Sequence, residues 1–188
     1  SFSGLTLSNN SDGNYTTSGV SGRITITPIA IVISGSMVYN GGTTVTTNNA
    51  DLVIANAIGS DSVALSGGSA RVSSQNVSAG TQSLSSFSGL TLSDNSDGNY
   101  TTSGASGRIA ITPIAIVISG SMVYNGGTTV TTNNADLTIA NAIGSDSVAL
   151  SGGSARVSSK NVSAGTQSLS SFSGLTLSNN SDGNYTTS

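Results

Sequence analysis

An all-β protein of tandem immunoglobulin-like Greek-key β-sandwich domains is the fold this sequence predicts. Three observations predict it. Apolar and polar residues alternate at period two, with no helical stripe. Breakers rich in Gly, Asn and Ser recur about every eight to twelve residues. The whole pattern then repeats: "SFSGLTLS" begins at Ser1, Ser86 and Ser171, a period of 85 residues. Residues 1–85 and 86–170 differ only at Asn9/Asp94, Val20/Ala105, Thr25/Ala110, Val53/Thr138 and Gln75/Lys160, and residues 171–188 copy residues 1–18. Such a period suits a small domain better than a solenoid coil.

The elements follow in order. "RITIT" (Arg23–Thr27) alternates, and beyond Pro28 "IAIVI" (Ile29–Ile33) continues in extended form. "SMVY" (Ser36–Tyr39) precedes the breaker "NGG", "TTVTT" (Thr43–Thr47) follows it, and "DLVIA" (Asp51–Ala55) runs into a turn at Gly59. "SVALS" and "SARVS" flank Gly67-Gly68 and predict a hairpin. "TQSLSSF" (Thr81–Phe87) and "LTLS" (Leu90–Ser93) lead to the turn "SDGN". "NADLVIANAI" reads alternatively as a short helix, which would give a β-grasp-like unit. Inward positions are expected at Ile31, Val38, Val45, Leu52, Ile54, Val63, Leu65, Val72, Leu84, Phe87, Leu90, Leu92 and Tyr100. Pro28 and its copy Pro113 mark the joints. Residues 1–28 then hold the last strands of a preceding repeat, 29–113 a complete repeat, and 114–188 a repeat lacking its last strand. An unpaired sheet edge needs a partner.

The turn "SDGNYTTS" occurs at Ser11, Ser96 and Ser181. Asp12 and Asn14 suit a turn, Gly13 supplies permissive dihedrals and Tyr15 opens a strand. A Tyr so placed matches the corner of immunoglobulin-type sandwiches, where its hydroxyl bonds back to upstream backbone. The same role falls to Asp97, Gly98, Asn99 and Tyr100, and to Asp182, Gly183, Asn184 and Tyr185. "SG(V/A)SG" is expected to loop back into "RITIT" and make the last two strands a hairpin. A calcium loop is the functional alternative, because Asp94–Asn99 echoes the D-x-N-x-D-G order. However, Asp94 is one position late, its counterpart is Asn9, and no Glu closes the loop. The turn is read as scaffold, with no cofactor.

"MVYNGGTTVTT", "LSGGSARVSSQNVSAGTQSLS", "LTLS…DGNYTTSG" and "ITP" together resemble the YDG repeat domains and the related MBG domains. These occur in tandem in large bacterial surface adhesins and secreted exoproteins, including two-partner-secretion adhesins. The resemblance spans the 85-residue unit. Tyr39-Asn40-Gly41 and Tyr124-Asn125-Gly126 carry Asn at the family's Asp position, and "SDGNY" stands where an Asp-Ala-Gly-Asn-Tyr order is usual. The resemblance implies an extracellular adhesin or biofilm-matrix segment and brings no catalytic residues.

Composition narrows the function classes. The chain has no Cys, His or Trp, and its eight acidic residues are all Asp. Disulfides and thiolate chemistry are therefore absent, and acid–base catalysis has only Asp, Tyr and one Lys to draw on. No enzyme is expected. The complete repeat 29–113 contains no Lys, so a Lys-based isopeptide crosslink is excluded there. Charged residues make up 7% of the chain at a net charge of −3, which argues against nucleic acid as a partner. The longest apolar run, Ile29–Ile33, is too short to cross a bilayer. Neighbouring repeats are the expected partners. Matrix polysaccharide or identical chains, the latter by strand addition at an open edge, are the alternatives.

Overall fold

The structure is a computed structural model and describes residues 3–188; Ser1 and Phe2 lie outside it. It is all-β with almost no helix, several sheets and no barrel. The first seven strands are β1 (Ile29–Val38), β2 (Thr44–Thr46), β3 (Asp51–Ile54), β4 (Ala64–Arg71), β5 (Thr81–Ser83), β6 (Ser85–Ser93) and β7 (Tyr100–Thr112). They form two sheets, of order β3-β1-β7-β5 and β2-β4-β6. Ile31, Ile33, Met37, Val45, Val72, Leu84, Tyr100, Ile109 and Ile111 are buried in the core.

β1 shows why the sequence folds this way. Alternation sends Ile31, Ile33 and Met37 inward, and Tyr39 beyond the strand end is also buried. The strand runs unbroken through Ser34-Gly35-Ser36, so "IAIVI" and "SMVY" share one parity. Val38, expected inside, is therefore 52% exposed. Gly35 lies between Leu52 of antiparallel β3 and Ile109 of parallel β7. A Cβ there would overlap the Asp51 carbonyl oxygen. Past β3, Asn56 continues the ladder with its side chain: Oδ1 accepts from the Val32 amide at 2.8 Å and Nδ2 donates to the Ala30 carbonyl at 2.9 Å.

Two local expectations are corrected and one alternative is set aside. Gly67-Gly68 makes no hairpin; both glycines lie inside β4, where the register against β6 shifts. A Cβ on Gly68 would come within 2.6 Å of the Leu90 Cα, so the glycine permits close contact between strands. "YTTSGASGRIAIT" is also a single strand, β7, and not a hairpin. Its register against β1 shifts near Ala30, and Gly104 takes φ +76° opposite that bend. Finally, "DLVI" is strand β3, and the helical segments among the described residues are 3-10 turns at Val77–Ala79 and Val162–Ala164. Val and Ile on a pleated, half-buried edge override the helical reading.

Between β5 and β6 the chain changes sheets at Leu84, whose amide donates to the Gly107 carbonyl at 2.9 Å. The second unit repeats this plan with fewer pairings. It comprises β8 (Ile114–Ala115), β9 (Ile118–Met122), β10 (Thr129–Thr131), β11 (Ala135–Ile139), β12 (Ala149–Arg156), β13 (Ser170–Ser178) and β14 (Tyr185–Thr186). β10-β12-β13 reproduces the three-stranded sheet, whereas β9 pairs with β11 alone and β8 with β14 alone. Residues 3–28 carry no strand. The five positions at which the repeats differ avoid the buried core. Val53 is 60% exposed and Val20 is 45% exposed. Ala105 and Ala110 are half-buried.

Candidate functional site

Two of the sequence motifs, from different repeats, meet at one place: the "YNG" of the first unit and the final "DGNY" of the second. Tyr39 follows β1, and its amide donates to the Thr112 carbonyl at 2.8 Å, which fixes the ring at the end of the first unit. Asn40 Oδ1 accepts from the Gly42 amide at 2.9 Å, closing a tight turn. Gly41 (φ +73°) rests against the second unit, and a Cβ there would sit 2.8 Å from Ile143 Cγ2. From the other side, Asn180 clamps the turn before β14. Its Oδ1 accepts from the Tyr185 amide at 3.0 Å and its Nδ2 donates to the Tyr185 carbonyl at 2.8 Å.

Asp146 joins the two halves. One carboxylate oxygen, Oδ2, accepts from the Tyr39 hydroxyl at 2.8 Å and from the Tyr185 hydroxyl at 2.7 Å. The Tyr185 oxygen also accepts from the Ile143 amide at 2.7 Å. The two rings meet edge to face, centroids 5.7 Å apart at 69°, a favoured aromatic geometry. Hydrogen bonds to an ionised carboxylate are stronger than neutral ones. In a chain with so few charges, Asp146 is therefore a specific tie.

A second contact lies beside the first. The 3-10 turn Val77–Ala79 of the first unit docks on Asp182–Asn184. Asn184 Oδ1 accepts from the Val77 amide at 2.9 Å, and Asn184 Nδ2 donates to Asn76 Oδ1 at 3.1 Å. Ser78 donates twice to Asp182: amide to carbonyl at 2.9 Å and hydroxyl to Oδ1 at 2.9 Å.

The repeat supplies its own comparison. Tyr39 is 2% exposed, whereas its copy Tyr124 is 59% exposed. Asn184 is buried but its copy Asn99 is exposed; Val77 is half-buried but its copy Val162 is exposed. Tyr100 still donates to Asp61 Oδ2 at 2.8 Å and accepts from the Ile58 amide at 2.7 Å. Each unit thus holds the same Tyr–Asp–amide triangle, to which the joint adds the incoming tyrosine. Asp12, Gly13, Asn14 and Tyr15 keep the local turn, held by Asn10, with hydrogen bonds only inside that turn among the described residues; Tyr15 is 76% exposed. Asn125 and Gly126 keep the Asn40-type turn, with Asn125 Oδ1 accepting from the Gly127 amide at 2.9 Å.

Asp61, Asp94, Asp97, Asn99 and Tyr100 line a polar cleft of about 210 Å³ in the first unit. At the equivalent face of the second unit, the first unit's 3-10 turn seats on Asp182–Asn184. Among the described residues no three acidic side chains converge to hold a metal. Sequence reasoning missed Asp61, Asp146, Asn76 and Ser78. The available signal was the isolated carboxylate in "IGSDS", repeated in a chain nearly free of charge.

Burial pushes the Tyr39 hydroxyl up to about 12 from 10.0, with the Asp146 hydrogen bond and charge adding to it. Burial also raises Tyr185, opposed by the Ile143 amide and reinforced by Asp146. An undocked Tyr39 ionises near its ordinary value, so docking holds the phenolic proton. That contribution is complete below pH 10 and is lost as the pH rises toward 12. The joint is expected to weaken over that window by on the order of 2 kcal/mol. Small-angle scattering should show the angle between units broadening in step with tyrosinate absorbance.

A family model described as the YDG domain matches residues 23–107 and 109–188. No curated protein and no solved structure matches the chain.

Proposed function

Because the chain belongs to the YDG domain family, we propose that it is a structural repeat segment, a stalk or fibre, of an extracellular bacterial adhesin or biofilm matrix protein. In this reading each unit is an immunoglobulin-like Greek-key sandwich, and the repeats carry a distal binding region away from the cell surface. The observation that carries the reading is the joint. Tyr39, Asp146 and Tyr185 tie consecutive units through one carboxylate, and the 3-10 turn on Asp182–Asn184 adds a second anchor. Two separated anchors fix an angle, where a bare linker would leave it free. Each compact unit of this size contributes on the order of 30 Å.

The surface supports the same reading. At 7% charged residues, hydroxyls and amides dominate, and little long-range field exists to attract ligands. The rival function, glycan binding by the repeats themselves, is tested against it directly. Chains of increasing repeat number should lengthen by a constant increment in scattering, with no saturable binding of matrix polysaccharide at about millimolar ligand. Binding that rises with repeat number would replace the stalk by a polyvalent adhesive.

A further inference from the structure

We propose that Asn40-Gly41 is a self-modification site whose reaction makes opening of the joint irreversible. The undocked pair closes to a succinimide, expels ammonia and reopens with water, and the isoaspartyl product no longer docks. The proposal concerns the joint itself and does not depend on the stalk reading.

The chemistry starts from the sequence. Among the asparagines only Asn40 and its copy Asn125 precede a glycine. Asparagine is a thermolabile residue, and a following glycine presents its amide nitrogen with no side chain in the way. In the reaction the Gly41 nitrogen bonds to Asn40 Cγ and gives up its proton. The Cγ–Nδ2 bond breaks, and Nδ2 leaves with that proton as ammonia. Water then hydrolyses the ring. Attack at the side-chain carbonyl gives Asp, and attack at the main-chain carbonyl gives isoaspartate, in which the main chain runs through Cβ and Cγ. No oxidant, metal or catalyst is required.

The structure both primes the site and restrains it. Asn40 is exposed, and its Oδ1 accepts from the Gly42 amide at 2.9 Å, a donor placed where charge gathers as the nitrogen attacks. Nδ2, the leaving group, donates to the Met37 sulfur at 3.7 Å, a weak acceptor. Asn49, by contrast, is clamped at both ends of its amide: Oδ1 accepts from the Thr46 amide at 2.8 Å and Nδ2 donates to the Thr44 carbonyl at 2.9 Å.

Docking supplies the restraint. The Tyr39 amide is bonded to the Thr112 carbonyl, the Tyr39 hydroxyl to Asp146, and Gly41 lies against Ile143. Ring closure must swing the Gly41 amide toward Cγ, and the backbone held on both sides of Asn40 resists that swing. Asn125 has the same primers, with Oδ1 accepting from the Gly127 amide at 2.9 Å and Nδ2 donating to the Met122 sulfur at 3.8 Å. Tyr124 before it is exposed. One chain therefore carries the site in a docked and an undocked setting.

The isoaspartyl product cannot return. A Cβ at Gly41 would sit 2.8 Å from Ile143 Cγ2, so the contact has no room for added atoms. Isoaspartate lengthens the main chain by one carbon immediately before Gly41 and turns Oδ1 into a peptide carbonyl oxygen. The Gly42 hydrogen bond and the Gly41 position are then not kept together. Asp, the other product, keeps Oδ1 and the turn, so the two products separate a change of charge from a change of backbone.

Incubating the 188-residue chain at mildly alkaline pH, with peptide mapping by mass spectrometry over weeks, tests this. The readout at each site is replacement of NH2 by OH, with isoaspartate resolved from Asp by chromatography. Asn125 should convert first, and Asn40 should be slower by about tenfold or more, one decade for each ~1.4 kcal/mol of docking free energy. Asp146→Ala, which unties the joint without altering the neighbours of Asn40 in the chain, should bring Asn40 close to the Asn125 rate. If that variant fails to fold, Asn184→Ala breaks the second anchor, leaves the Tyr185 triangle in place and should raise the Asn40 rate in the same direction. In an Asn125→Ser background, scattering from the fraction with isoaspartate at position 40 should show a broadened angle between units, whereas Asn40→Asp should keep the angle of the unmodified chain. Equal rates at Asn40 and Asn125, an Asn40 rate that neither variant raises, or an isoaspartyl chain that keeps its joint would each overturn the proposal.

Discussion

Tyr39→Ala is expected to cost about 3–5 kcal/mol, the range for emptying a buried aromatic site, and to free the angle between the two units. The same change at Tyr124 should fall within about 0.5 kcal/mol, as ordinary surface substitutions do. The contrast follows from burial: 2% exposure against 59% for one residue type in one local sequence. Tyr39→Ala removes the edge-to-face contact with Tyr185 and one of the two hydroxyls on Asp146 Oδ2. Tyr39→Phe separates these effects. It keeps the ring and should lose about 1.5–3 kcal/mol, the worth of a hydrogen bond to a charged acceptor. Urea unfolding gives the stabilities, and the spread of inter-unit angles in electron micrographs gives the coupling. Equal losses at Tyr39 and Tyr124 would remove the joint from the account of rigidity.

Gly35→Ala is the second large effect, at about 3 kcal/mol or more. Its cause is purely steric. The added methyl would overlap the Asp51 carbonyl oxygen and lie 2.9 Å from the Asp51 carbonyl carbon, and both atoms are backbone, with no rotamer to yield. β1 must then leave β3, and Ile54 and the Asn56 bridge leave with it. Gly120→Ala meets the Asp136 carbonyl in the same way. A transition in which one unit melts early and the other does not, with the early one switching between the two variants, is the expected result. A single unshifted transition would show that the crossing tolerates a side chain.

The sequence made the strands legible and their continuity illegible. Period-two alternation located β2 and β3 within a residue or two, whereas the break expected between Phe87 and Leu90 lies at Leu84, between β5 and β6. Gly-rich stretches were misread as chain reversals. Gly67-Gly68 and the Gly104 segment lie inside long strands, because a glycine that allows another backbone to approach looks the same in sequence as one that allows a turn. Reading "IAIVI" and "SMVY" as separate segments likewise lost their common parity and placed Val38 inside in place of Met37. The turn residues Asp182–Tyr185 and the Tyr39 motif were both singled out, each as local scaffold. Their meeting was hidden because Tyr39 and Tyr185 stand 146 positions apart in the chain, and no local pattern encodes a contact between repeats.

The pairing of β1 with β7 has a consequence for a molecule held at both ends. β1 opens the first unit, β7 closes it, and the two lie parallel in register from Val32–Ser106 to Val38–Thr112. Tension pulling on Ile29 and on Thr112 therefore acts along the two strands in opposite directions. Their ladder is loaded in shear, every rung at once, and cannot be peeled open one rung at a time. A tether built from such units yields only when a whole ladder ruptures together.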